Sequence, residues 1–292
     1  MLTGSLVALI TPMNRSGSVD WPALKQLVEY HIQAGTDALV VAGTTGESVT
    51  LSEDELFTLF DRTLEYCNGR IPVIAGCGSN NTAHAKELAK QISKLGVTAG
   101  LSVTPYYNKP TQEGLYQHYA AIGEYSGLPQ ILYNVPGRTG CDLKPETVAR
   151  LAGNFGICGV KEATGNLSRV AQLRELCGRN FALYSGDDAT ACEFMLKGGN
   201  GVISVTANIS ANEMSRLCTY SLAGNQCAAL EIDERLRPLH QELFIESNPI
   251  PVKWAAARMG LINYADLRLP LTLLSSTAQA IVEAALVRAE LI

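Results

Sequence analysis

The amino-acid sequence predicts an α/β fold, a closed (β/α)8 barrel with a small C-terminal helical domain. Eight short, nearly continuous apolar runs recur along the chain, as in parallel strands that are buried on both faces. Helical patterns lie between the runs, and strict β-then-α alternation implies a parallel sheet. The length of 292 residues is normal for one barrel of this kind with a small appendix.

The predicted strands are short segments, each bounded by turn-forming residues. They cover residues 5–13, 36–47, 71–79, 100–107, 129–136, 155–164, 181–188 and 200–208. Closing eight strands into a barrel leaves no edge strand exposed. The alternative is an open doubly wound sheet, but no GxGxxG follows the first strand and the chain has no Walker A motif.

Capping residues predict the helix boundaries. Asp20 can cap the first helix, and Gly35 can end it. Ser52 and Glu55 have the spacing of a capping box before the second helix. Gly96 is predicted to stop the third helix.

The character of the chain changes after the eighth predicted strand. Residues 225–292 show helical patterns only, with breaks at Pro249, Pro251 and Pro270. We therefore predict a barrel catalytic domain over 1–224 and a helical domain over 225–292.

Composition excludes several classes of protein. Hydrophobic residues make up 47% and charged residues 17%, which favours a large core over disorder. The net charge is -5 without a Lys/Arg-rich run, which argues against nucleic acid or an anionic membrane as partner. No apolar segment reaches 18 residues, and the N-terminal stretch is predicted to be a strand rather than a signal peptide.

The spacing of the cysteines indicates the cellular compartment, and the spacing of the histidines indicates whether a catalytic metal site is present. The eight cysteines form no CxxC pair, which predicts reduced thiols in a cytoplasmic protein. The four histidines form no HxH or HExxH pattern, so no catalytic metal is expected.

A lysine ends the sixth predicted strand, where a barrel of this kind carries its active site. Strand alternation puts Lys161 and Gly159 on one face, and Val160 and Glu162 on the other. If Lys161 faces the lumen, Gly159 leaves room for a bound molecule. Burial favours the neutral amine, which forms a Schiff base with a ketone or aldehyde. The alternatives are a lysine that extends to the rim or one that pairs with a carboxylate.

Other strand ends carry polar groups with two interpretations each. Tyr133 can relay protons beside an amine, or it can be a packed aromatic residue with a satisfied hydroxyl. Thr44 and Thr45 lie between glycines, and their hydroxyl and N–H groups can hold a carboxylate or merely form the turn.

Charged residues follow the fifth and seventh strands. Arg138 can grip a carboxylate at two points, or it can be a solvated loop residue. Asp187 and Asp188 are either paired acids or N-cap residues of the next helix.

Six motifs carry a resemblance to a known family. They are GTTGES (43–48), TPYYNKP (104–110), YNVPGRTG (133–140), GVKEATGN (159–166), SGDDA (185–189) and GVISVTAN (201–208). With NPIPVKWA (248–255), the whole chain resembles the dihydrodipicolinate synthase family of the Schiff-base N-acetylneuraminate lyase superfamily. The resemblance implies a TIM barrel with a helical domain, a homotetramer built from two tight dimers, and no metal or cofactor.

The resemblance also implies catalytic roles. Lys161 matches the lysine that forms an imine with pyruvate, and Tyr133 matches the proton donor and acceptor. Thr44 and Tyr107 match its relay partners, with Tyr107 reaching into the site of the neighbouring subunit.

Substrate-binding positions follow in the same way. Thr45 and Ile203 match positions that contact the pyruvate carboxylate largely through backbone groups, and Gly186 matches a substrate-binding position. Arg138 matches the residue that holds the carboxylate of aspartate-semialdehyde at the site mouth.

The implied reaction joins pyruvate to (S)-aspartate-4-semialdehyde and gives 4-hydroxy-tetrahydrodipicolinate, in lysine and diaminopimelate biosynthesis. One alternative is a pyruvate-dependent sugar-acid aldolase, such as an N-acetylneuraminate or 2-keto-3-deoxy-acid lyase. Arg138 favours the synthase, because the semialdehyde has a carboxylate to bind. A second alternative is a non-catalytic binding barrel, which predicts the loss of Lys161, Tyr133 or Thr44, and all three are present.

Some family members are inhibited by lysine at an interface pocket. The matching positions are Ser48, Val49, Asn80, His84 and Tyr106. Several inhibited members have glutamate at the position of His84, which neutralises the ammonium of the effector, and often histidines at those of Glu53 and Leu56. We therefore expect inhibition by lysine to be weak or absent, although Glu53 can compensate in part.

Overall fold

The computed structural model describes residues 2–292 and confirms the predicted fold class. Eight parallel strands pair in chain order, and the first pairs with the last to close a barrel. The strands are β1 (Gly4–Ala8), β2 (Ala38–Val41), β3 (Val73–Gly76), β4 (Ala99–Val103), β5 (Gln130–Asn134), β6 (Ile157–Glu162), β7 (Ala182–Ser185) and β8 (Gly201–Ser204).

Helices cover the outside of the barrel and form the C-terminal part of the chain. They are α1 (Trp21–Gln33), α2 (Glu53–Cys67), α3 (Thr82–Ile92), α4 (Gln112–Ser126), α5 (Pro136–Thr139), α6 (Pro145–Leu151), α7 (Ser168–Cys177), α8 (Ala191–Leu196), α9 (Ala211–Leu222), α10 (Gln226–Glu242), α11 (Ile250–Arg258) and α12 (Ser276–Arg288). The short helix α5 is an addition to the regular alternation, and α10 to α12 follow the barrel. The domain division at residue 224 stays a prediction.

Local capping signals form as predicted. The Asp20 carboxylate accepts a hydrogen bond from the Ala23 N–H at 3.1 Å. Ser52 and Glu55 form the reciprocal capping box at the start of α2. Helix α3 ends at Ile92, four residues before Gly96, because the chain passes through a further turn before the glycine.

Strand alternation separates two apolar layers. One side of each strand packs against the helices, and the other fills the lumen, as expected for a small barrel. The buried lumen residues are Leu6, Ala8, Ala38, Val40, Ile74, Ala99, Leu101, Ile131, Tyr133, Ala182, Tyr184 and Ile203. Side chains therefore fill the lumen, and a ligand has access at the C-terminal ends of the strands.

Two composition-based predictions can be compared with the described residues. All eight cysteines lie within 2–292 and are free thiols, five of them buried. Across residues 2–292, no helix has the length and apolar character needed to cross a membrane.

Candidate active site

Lys161 lies in the lumen near the end of β6. Its neighbours in the sheet register are Tyr133 on β5 and Tyr184 on β7, so all three side chains share the lumen face. Lys161 is only 5% exposed, which excludes an amine that extends to the rim. Among residues 2–292, no carboxylate oxygen lies within 4.0 Å of the Lys161 Nζ, which is the distance limit for an ion pair. The two structural alternatives for this lysine are therefore removed.

Gly159 does not leave the predicted room for a bound molecule, and a different glycine makes room for Lys161. A methyl group at Gly159 would lie 2.8 Å from the Ala182 Cβ, so Gly159 allows close contact between β6 and β7 and leaves no space for a ligand. A methyl group at Gly186 would lie 2.9 Å from Cε of Lys161 and 2.6 Å from the Ala163 Cβ. Because Gly186 has no side chain, the space beside it is free for the Lys161 side chain, which occupies it.

Tyr133 provides the surface against which the amine lies. The Lys161 Nζ is 4.4 Å from the centroid of the Tyr133 ring. Tyr184, on the other side of Lys161, donates its hydroxyl hydrogen bond to the Leu2 carbonyl at 2.8 Å, at the opposite end of the barrel. The Tyr184 hydroxyl is therefore engaged elsewhere, which leaves Tyr133 as the phenol beside the reactive end.

A cavity of about 480 Å³ opens beside this tyrosine. Tyr133, Thr44 and Arg138 all line it, so the structure brings together three residues from β5, the loop after β2, and α5. Arg138 also donates a hydrogen bond from Nη2 to the Asn248 carbonyl at 3.2 Å. This contact orients the guanidinium at the cavity mouth.

Thr45 and Ile203 are not among the residues that line the cavity. Thr45 is buried, and its hydroxyl accepts a hydrogen bond from the Asn248 Nδ2 at 2.9 Å. Ile203 is a buried lumen residue on β8. Their contacts with pyruvate remain predictions.

Tyr107 stands apart from the other predicted catalytic residues. Its side chain is 91% exposed, and its backbone has a φ of 74°, a region that non-glycine residues seldom adopt. It does not line the cavity of its own chain. An exposed tyrosine held in a strained backbone is consistent with use by another subunit, which stays a prediction.

The predicted lysine-binding positions lie along the same cavity. Ser48, Val49, His84 and Tyr106 line it, and Asn80 donates a hydrogen bond to the Tyr106 carbonyl at 3.1 Å. Two of the residues that differ from the pattern of lysine-inhibited family members lie close together, since the His84 Nδ1 is 3.6 Å from the Glu53 Oε1. The only carboxylate lining the cavity among residues 2–292 therefore has a histidine beside it.

The two aspartates after β7 have different partners, and Asp187 lies at the N-cap position of a short 3-10 helix over Asp188–Thr190. Asp187 accepts a hydrogen bond from the Thr190 hydroxyl and caps no backbone N–H. Asp188 is buried, and its Oδ2 accepts hydrogen bonds from the N–H groups of Val205 and Thr206. The predicted N-cap position is therefore confirmed for Asp187, while the carboxylate of Asp188 binds the backbone of the loop after β8 instead.

Glu162 faces away from the lumen, as predicted, but it organises the strand ends. Its carboxylate lies 2.9 Å from the Arg169 Nε and accepts hydrogen bonds from the Asn134 side chain and the Thr164 N–H. Because Asn134 follows Tyr133 and Glu162 follows Lys161, these contacts connect the ends of the two strands that carry the candidate catalytic pair.

A second buried ion pair was missed by the motif analysis. Glu47 ends the GTTGE segment, and its carboxylate lies 2.7 Å from the Lys253 Nζ on α11. The side chains are 1% and 0% exposed. Burial lowers the pKa of Lys253, and the neighbouring Glu47 carboxylate opposes that shift. A signal was present, because Lys253 is a lone charge in the apolar run IPVKWAAA.

Comparison with known proteins now decides the family. A model of the dihydrodipicolinate synthetase family matches residues 1–289. The chain belongs to this family. The family resemblance read from the motifs is thereby confirmed. A 4-hydroxy-tetrahydrodipicolinate synthase from Psychromonas ingrahamii is 58% identical over 292 residues, which cover 100% of both chains.

Solved structures of the family are similar over the whole fold. A chloride-inhibited dihydrodipicolinate synthase from Acinetobacter baumannii, complexed with pyruvate, matches with a TM-score of 0.98, 50% identity and 100% coverage of both chains. A family member from Cyanidioschyzon merolae with lysine bound matches with a TM-score of 0.96 and 40% identity, covering 100% of this chain and 99% of that one.

Proposed function

We propose that the chain catalyses the condensation of pyruvate with (S)-aspartate-4-semialdehyde to 4-hydroxy-tetrahydrodipicolinate, a step of lysine and diaminopimelate biosynthesis. One observation carries the proposal: a buried lysine without a carboxylate partner, with its amine over the ring of Tyr133. Membership of the dihydrodipicolinate synthetase family supports the same activity.

The first half of the reaction uses Lys161 as nucleophile. Its amine attacks the ketone carbon of pyruvate, and loss of water gives an imine. The protonated imine withdraws electrons, so the pyruvate methyl group loses a proton and an enamine forms. Tyr133 transfers these protons, with Thr44 as its relay partner; the presence of both residues in the cavity lining supports these roles.

The second half forms the carbon–carbon bond and releases the enzyme. The enamine carbon attacks the aldehyde carbon of the semialdehyde, and the resulting alkoxide takes up a proton. The amino group of the substrate then attacks the imine carbon and displaces the Lys161 amine, which closes the ring. Enclosure beside a packed lumen limits hydrolysis of the imine before the second substrate arrives.

Arg138 is proposed to select the second substrate. A guanidinium at the mouth of the cavity can bind the semialdehyde carboxylate at two points. The polyhydroxylated aldehyde that a sugar-acid aldolase joins to pyruvate has no carboxylate for that guanidinium to bind, which favours the synthase over a sugar-acid aldolase.

Substrate comparison tests the proposed activity. We expect turnover of pyruvate with aspartate-semialdehyde and no cleavage of N-acetylneuraminate above background. Arg138→Ala should raise the KM for the semialdehyde more than 10-fold, because a charge-assisted contact contributes about 1.5–3 kcal/mol. Its KM for pyruvate should stay the same. Preferred turnover of the sugar acid would overturn the proposal.

We propose further that the protein is cytoplasmic and works as a homotetramer, a dimer of dimers. The exposed side chains of Tyr107 and Val49, 91% and 81% accessible, support an interface next to the active site. Val49 lines the cavity that holds Tyr133 and Arg138, and Tyr107 follows the lining residue Tyr106 in the chain, so a partner seated there would complete the site.

A further inference from the structure

The C-terminal helices contact the active-site loop through buried polar groups. The loop after β2, residues 42–47, carries Thr44 and Thr45, and we call it the threonine loop. Asn248 Nδ2 donates to the Thr45 hydroxyl at 2.9 Å, and Lys253 Nζ donates to Glu47 Oε1 at 2.7 Å. These contacts join residues more than 200 positions apart in sequence.

The threonine loop is held in an unfavourable backbone conformation. Ala42 and Glu47 have φ values of 53° and 55°, in the left-handed region that side chains disfavour. A methyl group at Gly46 would lie 3.1 Å from both the Ala42 backbone and the Leu9 carbonyl, so the turn is also tight. Strain of this kind persists only where surrounding contacts fix it, and it concentrates at functional sites.

Contacts at several points fix the loop. The Thr11 hydroxyl donates to the Gly46 carbonyl at 2.7 Å, from the barrel side. Glu47 Oε2 accepts a hydrogen bond from the Arg268 N–H at 3.1 Å, while Oε1 takes the Lys253 amine. Both carboxylate oxygens are therefore bonded to the C-terminal part of the chain, in a region that excludes water.

A fully buried ion pair is a poor source of stability, because desolvation of both charges offsets their attraction. What the pair contributes instead is a fixed geometry, because the Glu47 carboxylate can have both of its oxygens hydrogen-bonded in only one position. Replacing it by apolar groups would retain packing and lose that directionality. The pair is thus suited to fixing the position of the two threonines that precede it.

We propose that Lys253 is a positioning residue for the reaction, which acts through Glu47 to hold the threonine loop against the bound pyruvate. Asn248 holds the same loop at Thr45, and its carbonyl accepts from Arg138. The helices after the barrel thereby set the geometry of both substrate-binding regions. This proposal rests on the proposed function, because it assigns the loop to pyruvate.

The test is the double variant Glu47→Gln/Lys253→Met. It removes both charges together, so neither charge is left buried without its partner. We expect it to fold, with a circular dichroism spectrum like that of the parent. Its kcat/KM for pyruvate should fall by roughly 10- to 100-fold, since a displacement of about 1 Å can cost about 100-fold. The KM for the semialdehyde should change by less than about 3-fold, because Arg138 and Asn248 are untouched.

The matched control is Glu283→Gln/Arg258→Met. This pair also involves α11, with Arg258 Nε 3.1 Å from Glu283 Oε1, but it is half exposed and does not touch the threonine loop. We expect its kinetic constants to equal those of the parent. Equal losses in both variants, or a folded test variant with parental pyruvate kinetics, would overturn the proposal.

If the double variant does not fold, Glu47→Asp decides the question. It retains both charges and shortens the connection by one methylene, so the loop must move toward α11. A raised KM for pyruvate supports positioning, and an unchanged one overturns it. Failure of the parent itself to form an adduct with pyruvate would instead contradict the proposed function.

Discussion

Lys161 and Gly186 show how a single residue position can determine reactivity. The lysine side chain passes through the space that a side chain at position 186 would occupy. The lysine itself was predictable, because a charge at the end of an apolar strand stands out in the sequence. The role of Gly186 was not, since it depends on the side-chain path of Lys161 across the β6–β7 pair. For the same reason, the assignment of free space to Gly159 was wrong.

Gly186→Ala should therefore impair catalysis more than folding. The new methyl group would lie 2.9 Å from the Lys161 Cε and 2.6 Å from the Ala163 Cβ, so the lysine must shift. We expect kcat to fall at least about 100-fold, since misplacement by about 1 Å costs that much. Gly137→Ala is the control, because its methyl group would meet no atom within 4 Å. Equal activity of the two variants would refute this role of Gly186.

Lysine should inhibit this enzyme weakly or not at all. The family resemblance predicts an anion at the position of His84 to bind the ammonium of the effector, and the His84 Nδ1 here lies 3.6 Å from the Glu53 Oε1. Steady-state assays at neutral pH should show no half-inhibition at micromolar lysine. His84→Glu adds a carboxylate to the cavity wall and should increase sensitivity to lysine. Strong inhibition of the parent would contradict the expectation.

At the scale of the elements, local and distant interactions differ in how far they could be predicted. The capping box of α2 was predictable because its two residues are three positions apart. The contact of Glu162 with Arg169 and Asn134 joins β5, β6 and α7, so it depends on strand register and on where α7 begins. Alternation alone correctly placed Glu162 outside the lumen and gave no sign of its partners.

The connection between α3 and α4 predicts a loss of stability in acid. His118 on α4 is buried and bonded to the Thr82 hydroxyl at 2.9 Å, and burial lowers its pKa from 6.5 to about 4. Between these two values the unfolded chain binds a proton that the folded chain does not. The free energy of unfolding therefore falls as pH drops through that window, by about 1.4 kcal/mol per pH unit for one site.

Urea titrations between pH 7.5 and 4.5 test this prediction. His118→Gln can keep the bond to Thr82 and cannot be protonated, so its stability should depend less on pH than that of the parent. His31, whose pKa burial lowers to about 3, contributes in the same direction in both proteins. Identical pH dependence of the two proteins would show that His118 is protonated equally in the folded and unfolded states.

At the scale of the whole molecule, Tyr107 bears on the assembly. A chain that acts alone gives no reason for a strained and 91% exposed tyrosine beside its site. The family motif suggested the use of Tyr107 by a neighbour, but composition and periodicity carry no information about symmetry. The sequence marks Lys253 as a charge in an apolar run, but it does not identify Glu47 as its partner, since 206 positions separate the two residues.

Mixing two inactive variants tests whether subunits share a site. Lys161→Ala should be inactive for lack of the nucleophile, and Tyr107→Ala should lose most of its activity. If Tyr107 serves the partner subunit, hybrids contain one site with both residues intact, and activity should reappear after co-expression. Recovery should coincide with a species of at least twice the chain mass of 31.3 kDa. A fully active monomer, or no recovery in proven hybrids, would contradict shared sites.

Imine formation on Lys161 is the central claim, and borohydride trapping measures it most directly. The enzyme is incubated with pyruvate, reduced, digested and mapped by mass spectrometry. We predict a single pyruvate-derived adduct on the peptide that contains Lys161, absent without pyruvate and absent in Lys161→Ala. An unmodified Lys161 after turnover-competent incubation, or an adduct on another lysine, would contradict the mechanism.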